Sequence, residues 1–236
     1  MKIVKLLLLS VVLLSCTDKN IKDVSSTEQT TTTDNQLITY LALGDSYTIG
    51  ESVAASQSFP YQLATELNTL NYKVAEPTII ARTGWTTDEL IGAVKSHNLA
   101  QKFDIVTLLI GVNNQYRHYN INTYRTEFIQ LLSTGLVYAK GNTKHVFVVS
   151  IPDWGATPFA AGQDANQIGS EIDAYNAINR QEAAKAGVSY IDITPISRLA
   201  KTEASLTASD GLHPSGKMYG QWVQLIKQQV VKNIPK

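Results

Sequence analysis

Five short runs rich in apolar and β-branched residues recur along the chain: "LITYLAL" (Leu37–Leu43), "TIIAR" (Thr78–Arg82), "DIVTLLI" (Asp104–Ile110), "HVFVVSI" (His145–Ile151) and "VSYIDI" (Val188–Ile193). Most are continuously apolar, as expected for strands buried on both faces. Helical periodicities separate them. Pro60 opens one that carries Leu63, Leu67 and Leu70. "TTDE" at Thr86–Glu89 has capping-box spacing ahead of Leu90, Ile91 and Val94. Tyr124, Phe128, Leu131 and Leu132 mark a third helix face, and Ile168, Ile172, Tyr175 and Ile178 a fourth. Pro214 is placed to begin a last helix with Trp222, Leu225 and Ile226. Strand and helix in alternation demand a parallel sheet with helices on both faces. A chain of 236 residues suits one such domain.

The first residues do not fit that pattern. "MKIVK" is a basic lead-in, and the apolar run Leu6–Leu14 is too short to span a bilayer as a helix. "LLSC" follows with the only cysteine, Cys16. A small residue before a single cysteine, directly after an apolar stretch, resembles a bacterial lipoprotein signal. That resemblance implies removal of residues 1–15, lipidation of Cys16 and a lipid-anchored protein of the bacterial cell envelope. Residues 16–36 are polar and rich in Thr and Ser, so they cannot bury enough surface to order themselves and read as a flexible tether. The domain is expected over residues 37–236. Losing Lys2 and Lys5 leaves 18 basic residues against 20 acidic ones. Neither the mature nor the full chain carries a basic field that asks for nucleic acid. One cysteine permits no disulfide within the chain, so stability rests on the core.

In open α/β sheets, sites form at the carboxyl ends of the strands. Gly44, Asp45 and Ser46 follow the first run, where it gives way to a loop. Thr83, Gly84 and Trp85 follow the second, and "GVNN" (Gly111–Asn114) follows the third. "DGLHP" (Asp210–Pro214) precedes the last helix. Ester hydrolysis needs a serine, a base within reach and a carboxylate to orient the base. Ser46, His213 and Asp210 supply these types. A developing oxyanion needs preorganised donors. The Ser46 and Gly84 backbone N–H groups and the Asn113 amide supply those. Asp45 reads as a loop support that bonds backbone N–H groups. His97, His118 and His145 are scattered without metal-ligand spacing, so neither a metal nor another cofactor is expected.

Together, "GDSY", "RTGWTT", "GVNN" and "DGLHP" resemble the GDSL or SGNH hydrolase superfamily. The resemblance covers the whole domain in the right order. It implies a flavodoxin-like three-layer α/β/α sandwich with a five-stranded parallel sheet, the SGNH hydrolase fold. It implies Ser46 as nucleophile, His213 as base, Asp210 as orienter, and Ser46, Gly84 and Asn113 as the oxyanion hole. Two positions depart from the family pattern. Tyr47 stands where the family name has Leu, and Asn114 stands where Asp is more usual.

The substrate side is less specific. Tyr47 borders the nucleophile. Trp85, Tyr116, Trp154 and Phe159 follow strands two to four and are candidates to line a pocket or to pack the loops. Arg117 reads as a solvated surface arginine, or else as a partner for a negative substrate group. The expected activity is that of a lysophospholipase- or arylesterase-like serine esterase acting on small-molecule or lipid esters. A carbohydrate O-deacetylase of the same superfamily is the alternative. A non-catalytic binding lipoprotein would have a damaged triad or oxyanion set, and every one of those positions is filled.

Overall fold

The computed structural model describes residues 37–235; the leader, Cys16 and the tether expected from the sequence lie outside them. All five apolar runs become parallel strands: β1 (Tyr40–Asp45), β2 (Thr78–Arg82), β3 (Ile105–Leu109), β4 (Val146–Val149) and β5 (Ser189–Ile191). Their order is β2-β1-β3-β4-β5, the flavodoxin-like arrangement. The chain reverses direction across the sheet between β1 and β3. A crevice therefore opens at the carboxyl ends of these strands.

Eight α-helical segments accompany the sheet in the described residues: α1 (Ser46–Ile49), α2 (Phe59–Thr69), α3 (Thr87–His97), α4 (Val112–Tyr116), α5 (Ile121–Tyr138), α6 (Ala165–Ala186), α7 (Thr194–Ser197) and α8 (Gly216–Asn233). α2 and α8 pack together, and α3, α5 and α6 pack in a row. These two groups are the outer layers of the sandwich. The apolar positions read from the sequence are the buried ones: Leu63 and Leu67, Leu90 and Val94, Tyr124 to Leu132, Ile168 to Ile178, and Trp222 with Ile226. Ile91 and Leu225 are half-buried against the core, and Leu70 is the outright exception. It lies past the end of α2 and is exposed.

The boundaries moved in ways that matter for function. β1 starts at Tyr40 rather than Leu37, because Leu37 is exposed and Ile38 makes only an isolated bridge to Val74. At its other end β1 continues through Gly44 and Asp45, which pair with Ala81 and Arg82 of β2. "GDSY" is thus no loop: two residues finish the strand and Ser46 begins a helical turn. A Cβ on Gly44 would lie 2.1 Å from Thr48 Oγ1 and 2.4 Å from the Leu109 carbonyl oxygen, so only glycine permits this close approach. The last helix begins at Gly216 rather than at Pro214. Pro214 instead forms an antiparallel bridge with Thr207, and Ser215 caps α8. That bridge, reinforced by Ala208 N–H to the His213 carbonyl (2.7 Å) and Ser215 N–H to the Leu206 carbonyl (2.8 Å), holds the loop that carries His213.

Candidate active site

Asp45 leaves β1 in an extended conformation and its Oδ1 accepts the Tyr47 N–H at 3.0 Å. This caps the four-residue turn α1 and sets Ser46 as its first residue, at the carboxyl edge of the sheet. The sequence reading of Asp45 as a loop support matches this bond. Asp45 is fully buried, and burial pushes its carboxyl up to about 7 against the opposing pull of backbone N–H groups.

Ser46 Oγ lies 3.0 Å from His213 Nε2, and His213 Nδ1 lies 2.6 Å from Asp210 Oδ2. Nδ1 facing a carboxylate carries the proton, which leaves Nε2 free to accept from the serine. The other carboxylate oxygen, Asp210 Oδ1, accepts the Leu212 N–H at 2.9 Å and the His213 N–H at 3.0 Å. Burial alone would raise the Asp210 carboxyl. The bonds from His213, from Ser52 and from these two N–H groups outweigh it and hold the group well below the usual carboxylate range. Tyr47 packs its ring against the His213 imidazole with centroids 5.2 Å apart.

The opposite wall is built from β2 and β3. Gly84 sits at φ +84°, a conformation glycine adopts without penalty. Asn113 Nδ2 donates to the Trp85 carbonyl at 2.9 Å, using one of its two N–H groups and fixing the amide beside the Gly84 loop. Arg117 is exposed, as the surface reading has it, and is also engaged: its Nη2 donates to the Gly84 carbonyl at 2.7 Å, and its Nη1 faces Glu89 Oε2 at 3.5 Å. It ties the Gly84 loop to the helix that presents Asn113.

Asn114 is buried, and its surroundings explain why an amide stands there. Its Oδ1 accepts the Thr87 N–H at 3.0 Å and its Nδ2 donates to Thr87 Oγ1 at 2.7 Å. The single Thr87 hydroxyl proton is already given to Glu127 Oε2. Residue 114 must therefore donate to that hydroxyl, and a carboxylate has no proton to give.

Beneath Ser46 lies a cavity of about 170 Å³ whose apolar walls come from Val112, Tyr116, Trp154, Phe159 and Leu212. Ser46, Tyr47, Gly84, Asn113 and His213 all border it. The structure thus brings together every proposed triad and oxyanion residue and four of the five proposed substrate contacts. Trp85 is the one it does not. Its side chain is half-buried against the core, and its carbonyl accepts the Asn113 amide. Tyr47 borders the cavity with a buried ring wedged between His213 and Trp222. Trp154 is anchored by its indole N–H to Gln115 Oε1 at 2.7 Å, and the Phe159 N–H donates to the Gly211 carbonyl at 2.9 Å. Tyr116 and Phe159 are about half exposed, at 50% and 47%.

Glu51, Ser52, Val112 and Leu212 also belong to the site and were not singled out in the sequence. Val112 and Leu212 sit inside the quoted motifs "GVNN" and "DGLHP", where their adjacency to Asn113 and His213 was the available signal; Glu51 and Ser52 meet Thr83 and Asp210 only through chain reversal. Among the described residues, no group of three or more His, Cys, Asp or Glu side chains could hold a metal ion, and no helix is long and apolar enough to cross a membrane.

The family model described as "GDSL-like Lipase/Acylhydrolase family" matches residues 42–221. None of the curated proteins compared with the chain matches it. Among solved structures, the chain resembles that of TesA, with 14% identity, 83% of this chain and 99% of that one covered, and a TM-score of 0.65. It resembles a lipase/acylhydrolase from Enterococcus faecalis, with 19% identity, 85% and 99% coverage, and a TM-score of 0.63. It also resembles Axe2, an acetylxylan esterase from Geobacillus stearothermophilus, with 19% identity, 84% and 94% coverage, and a TM-score of 0.62. At these identities the structural likeness is one of fold.

Proposed function

The chain belongs to the GDSL-like lipase/acylhydrolase family and is an ester-hydrolysing enzyme, and from that premise we propose that it is a serine esterase of short to medium acyl chains working through an acyl-Ser46 intermediate. The observation that carries this reading is the two-bond chain from Ser46 through His213 to Asp210 at the mouth of a small apolar cavity. Ser46 Oγ attacks the ester carbonyl as its proton passes to His213 Nε2. Asp210 holds the Nδ1–H tautomer and stabilises the imidazolium. The Ser46 and Gly84 N–H groups and the free N–H of Asn113 Nδ2 receive the oxyanion. His213 returns its proton to the departing alcohol. Water, deprotonated by the same imidazole, then attacks the acyl carbonyl and releases the acid.

Cavity size bears on the acyl chain. An apolar cavity of about 150 Å³ accepts a benzene-sized guest, so the 170 Å³ beneath Ser46 suits an acyl group of roughly six carbons. Hydrolysis of p-nitrophenyl esters from acetate to palmitate tests both statements. Activity should peak between butyrate and hexanoate and vanish in Ser46→Ala. Undiminished turnover in Ser46→Ala would refute the nucleophile; a maximum at palmitate would refute the acyl assignment.

A second reading, carbohydrate O-deacetylation, is favoured by one observation. A polar cavity of about 480 Å³ shares Tyr116 and Trp154 with the acyl cavity, and its walls include Gln115, Gln167, Glu171 and His118. Planar amides and carboxylates beside aromatic rings suit a hydroxyl-rich alcohol. Acetate released from acetylated oligosaccharides faster than from p-nitrophenyl acetate would favour this reading. We also propose anchoring to the cell envelope through lipidated Cys16; metabolic labelling with palmitate, lost in Cys16→Ala, tests it.

A further inference from the structure

Downstream of the nucleophile, the chain turns back on its own active site. Gly50 and Glu51 N–H both donate to the Ser46 carbonyl at 3.1 Å. From that turn two side chains reach in different directions. Glu51 accepts a hydrogen bond from Thr83 Oγ1, next to Gly84. Ser52 Oγ donates to Asp210 Oδ2 at 2.7 Å, across 158 residues of sequence. That oxygen is the one that also faces His213 Nδ1. Ser52 does this from φ +64°, a left-handed conformation that non-glycine residues rarely adopt. The turn, closed by Val53 N–H on the Gly50 carbonyl, leaves Ser52 exposed with its hydroxyl committed to the proposed triad carboxylate.

We propose that Ser52 is a positioning residue that shares Asp210 Oδ2 with His213, fixing the carboxylate's orientation and tempering its hold on the imidazole proton. The proposal rests on the esterase reading of Ser46, His213 and Asp210. A donor on Oδ2 withdraws negative charge from the oxygen that stabilises the imidazolium. Without it, Asp210 holds the imidazolium more strongly. The fraction of enzyme with a competent base then falls at a given acidic pH. The other groups to reckon with are Tyr47, tilted against the imidazole, and the carboxylates of Asp45 and Asp153, whose fields reach Tyr47. Glu51 stands in the same turn as Ser52. None of these is altered by removing the Ser52 hydroxyl.

The test uses the full chain and two variants, Ser52→Gly and Ser52→Ala. Glycine relieves the left-handed strain while deleting the hydroxyl, so Ser52→Gly should melt at the same temperature as wild type or higher. The acidic limb of its kcat/KM profile should nonetheless move up by about half a unit to one unit, below the roughly one to two units that a buried bond to a charged group is worth, because this bond is exposed. On the plateau, kcat should fall several-fold with little change in KM. Ser52→Ala should shift the limb equally. NMR titration of the His213 ring gives the same midpoint shift without relying on turnover. Superimposable acidic limbs and ring titrations in wild type and both variants would overturn the proposal. So would a loss beyond a thousandfold in folded Ser52→Gly, which would mean that the site and not one bond had been lost. Failure of the esterase reading shows separately, as activity that survives Ser46→Ala.

Discussion

Replacing Asp210 by Asn probes the logic of the triad, because the surrounding hydrogen bonds leave the new amide no good orientation. Asp210 Oδ1 accepts two backbone N–H groups, those of Leu212 and His213, while Oδ2 faces His213 Nδ1. If the amide oxygen keeps the two N–H donors, its NH₂ points at Nδ1. The imidazole must then carry its proton on Nε2, where it cannot accept from Ser46. If the amide flips, its NH₂ opposes the two N–H groups and leaves them unsatisfied. Each such group costs about 1–3 kcal/mol, so the productive orientation lies roughly 2–6 kcal/mol uphill. At 1.36 kcal/mol per decade this is about 30-fold to 10⁴-fold in rate. Asp210 is partly exposed, with 29% of its side chain accessible, which moves the expectation toward the middle of that range. Loss of the charge that stabilises the imidazolium works in the same direction. Steady-state hydrolysis of p-nitrophenyl butyrate by Asp210→Asn should show kcat lowered about a thousandfold with KM nearly unchanged and the melting temperature within a few degrees of wild type. A kcat within tenfold of wild type would refute the argument that Asp210 selects the tautomer.

Three further outcomes are expected. Arg117→Ala frees the Gly84 carbonyl, and kcat should fall about tenfold at constant KM, with Arg117→Lys recovering part of it; the estimate is kept low because the guanidinium is 40% exposed. Asn114→Asp sets two carboxylates on the one Thr87 hydroxyl and should cost about 1–3 kcal/mol in urea unfolding. Adding Glu127→Gln should restore most of that loss, since the amide at position 127 can donate to the Thr87 hydroxyl and free its proton for the carboxylate introduced at position 114. Asp45 has its carboxyl raised by burial to about 7, so between about pH 4 and 7 the folded chain holds a proton that the unfolded chain has released. Stability should therefore fall as pH rises through that window, by up to about 4 kcal/mol. Urea midpoints at pH 4.5, 6 and 7.5 should converge in Asp45→Asn relative to wild type; equal slopes in both proteins would refute the assignment.

The architecture was legible because it is written in hydrophobic pattern. Continuous apolar runs can be satisfied only inside a covered parallel sheet, and each of the five became a strand. The convergence of Ser46, Gly84, Asn113, Asp210 and His213 on one edge was legible because their types are chemically scarce in combination and follow strand ends. Local hydrogen bonding was legible where donor and acceptor are sequence neighbours, as in the capping box of Thr86 and Glu89 or Asp45 on the Tyr47 N–H. The strand and helix ends were less so. Gly44 and Asp45 look like turn residues, yet pairing with β2 on one side keeps the ladder running through them. Pro214 looks like a helix start, yet its bridge to Thr207 delays the helix by two residues.

The sequence by itself determined the layered α/β frame and the set of groups proposed to do the chemistry, because both depend on residue type and short-range spacing. Tertiary structure alone decided how those groups are held. Ser52 meets Asp210, Arg117 meets the Gly84 carbonyl, and Asn114 meets Thr87 across separations of 158, 33 and 27 residues. Trp85 and Trp154 both follow strands and pack on the core, but only Trp154 also walls the cavity beside Ser46. A hydrogen bond or a packed ring depends on distance and direction in space. Those become defined only once chain reversal has brought distant loops to one edge of the sheet.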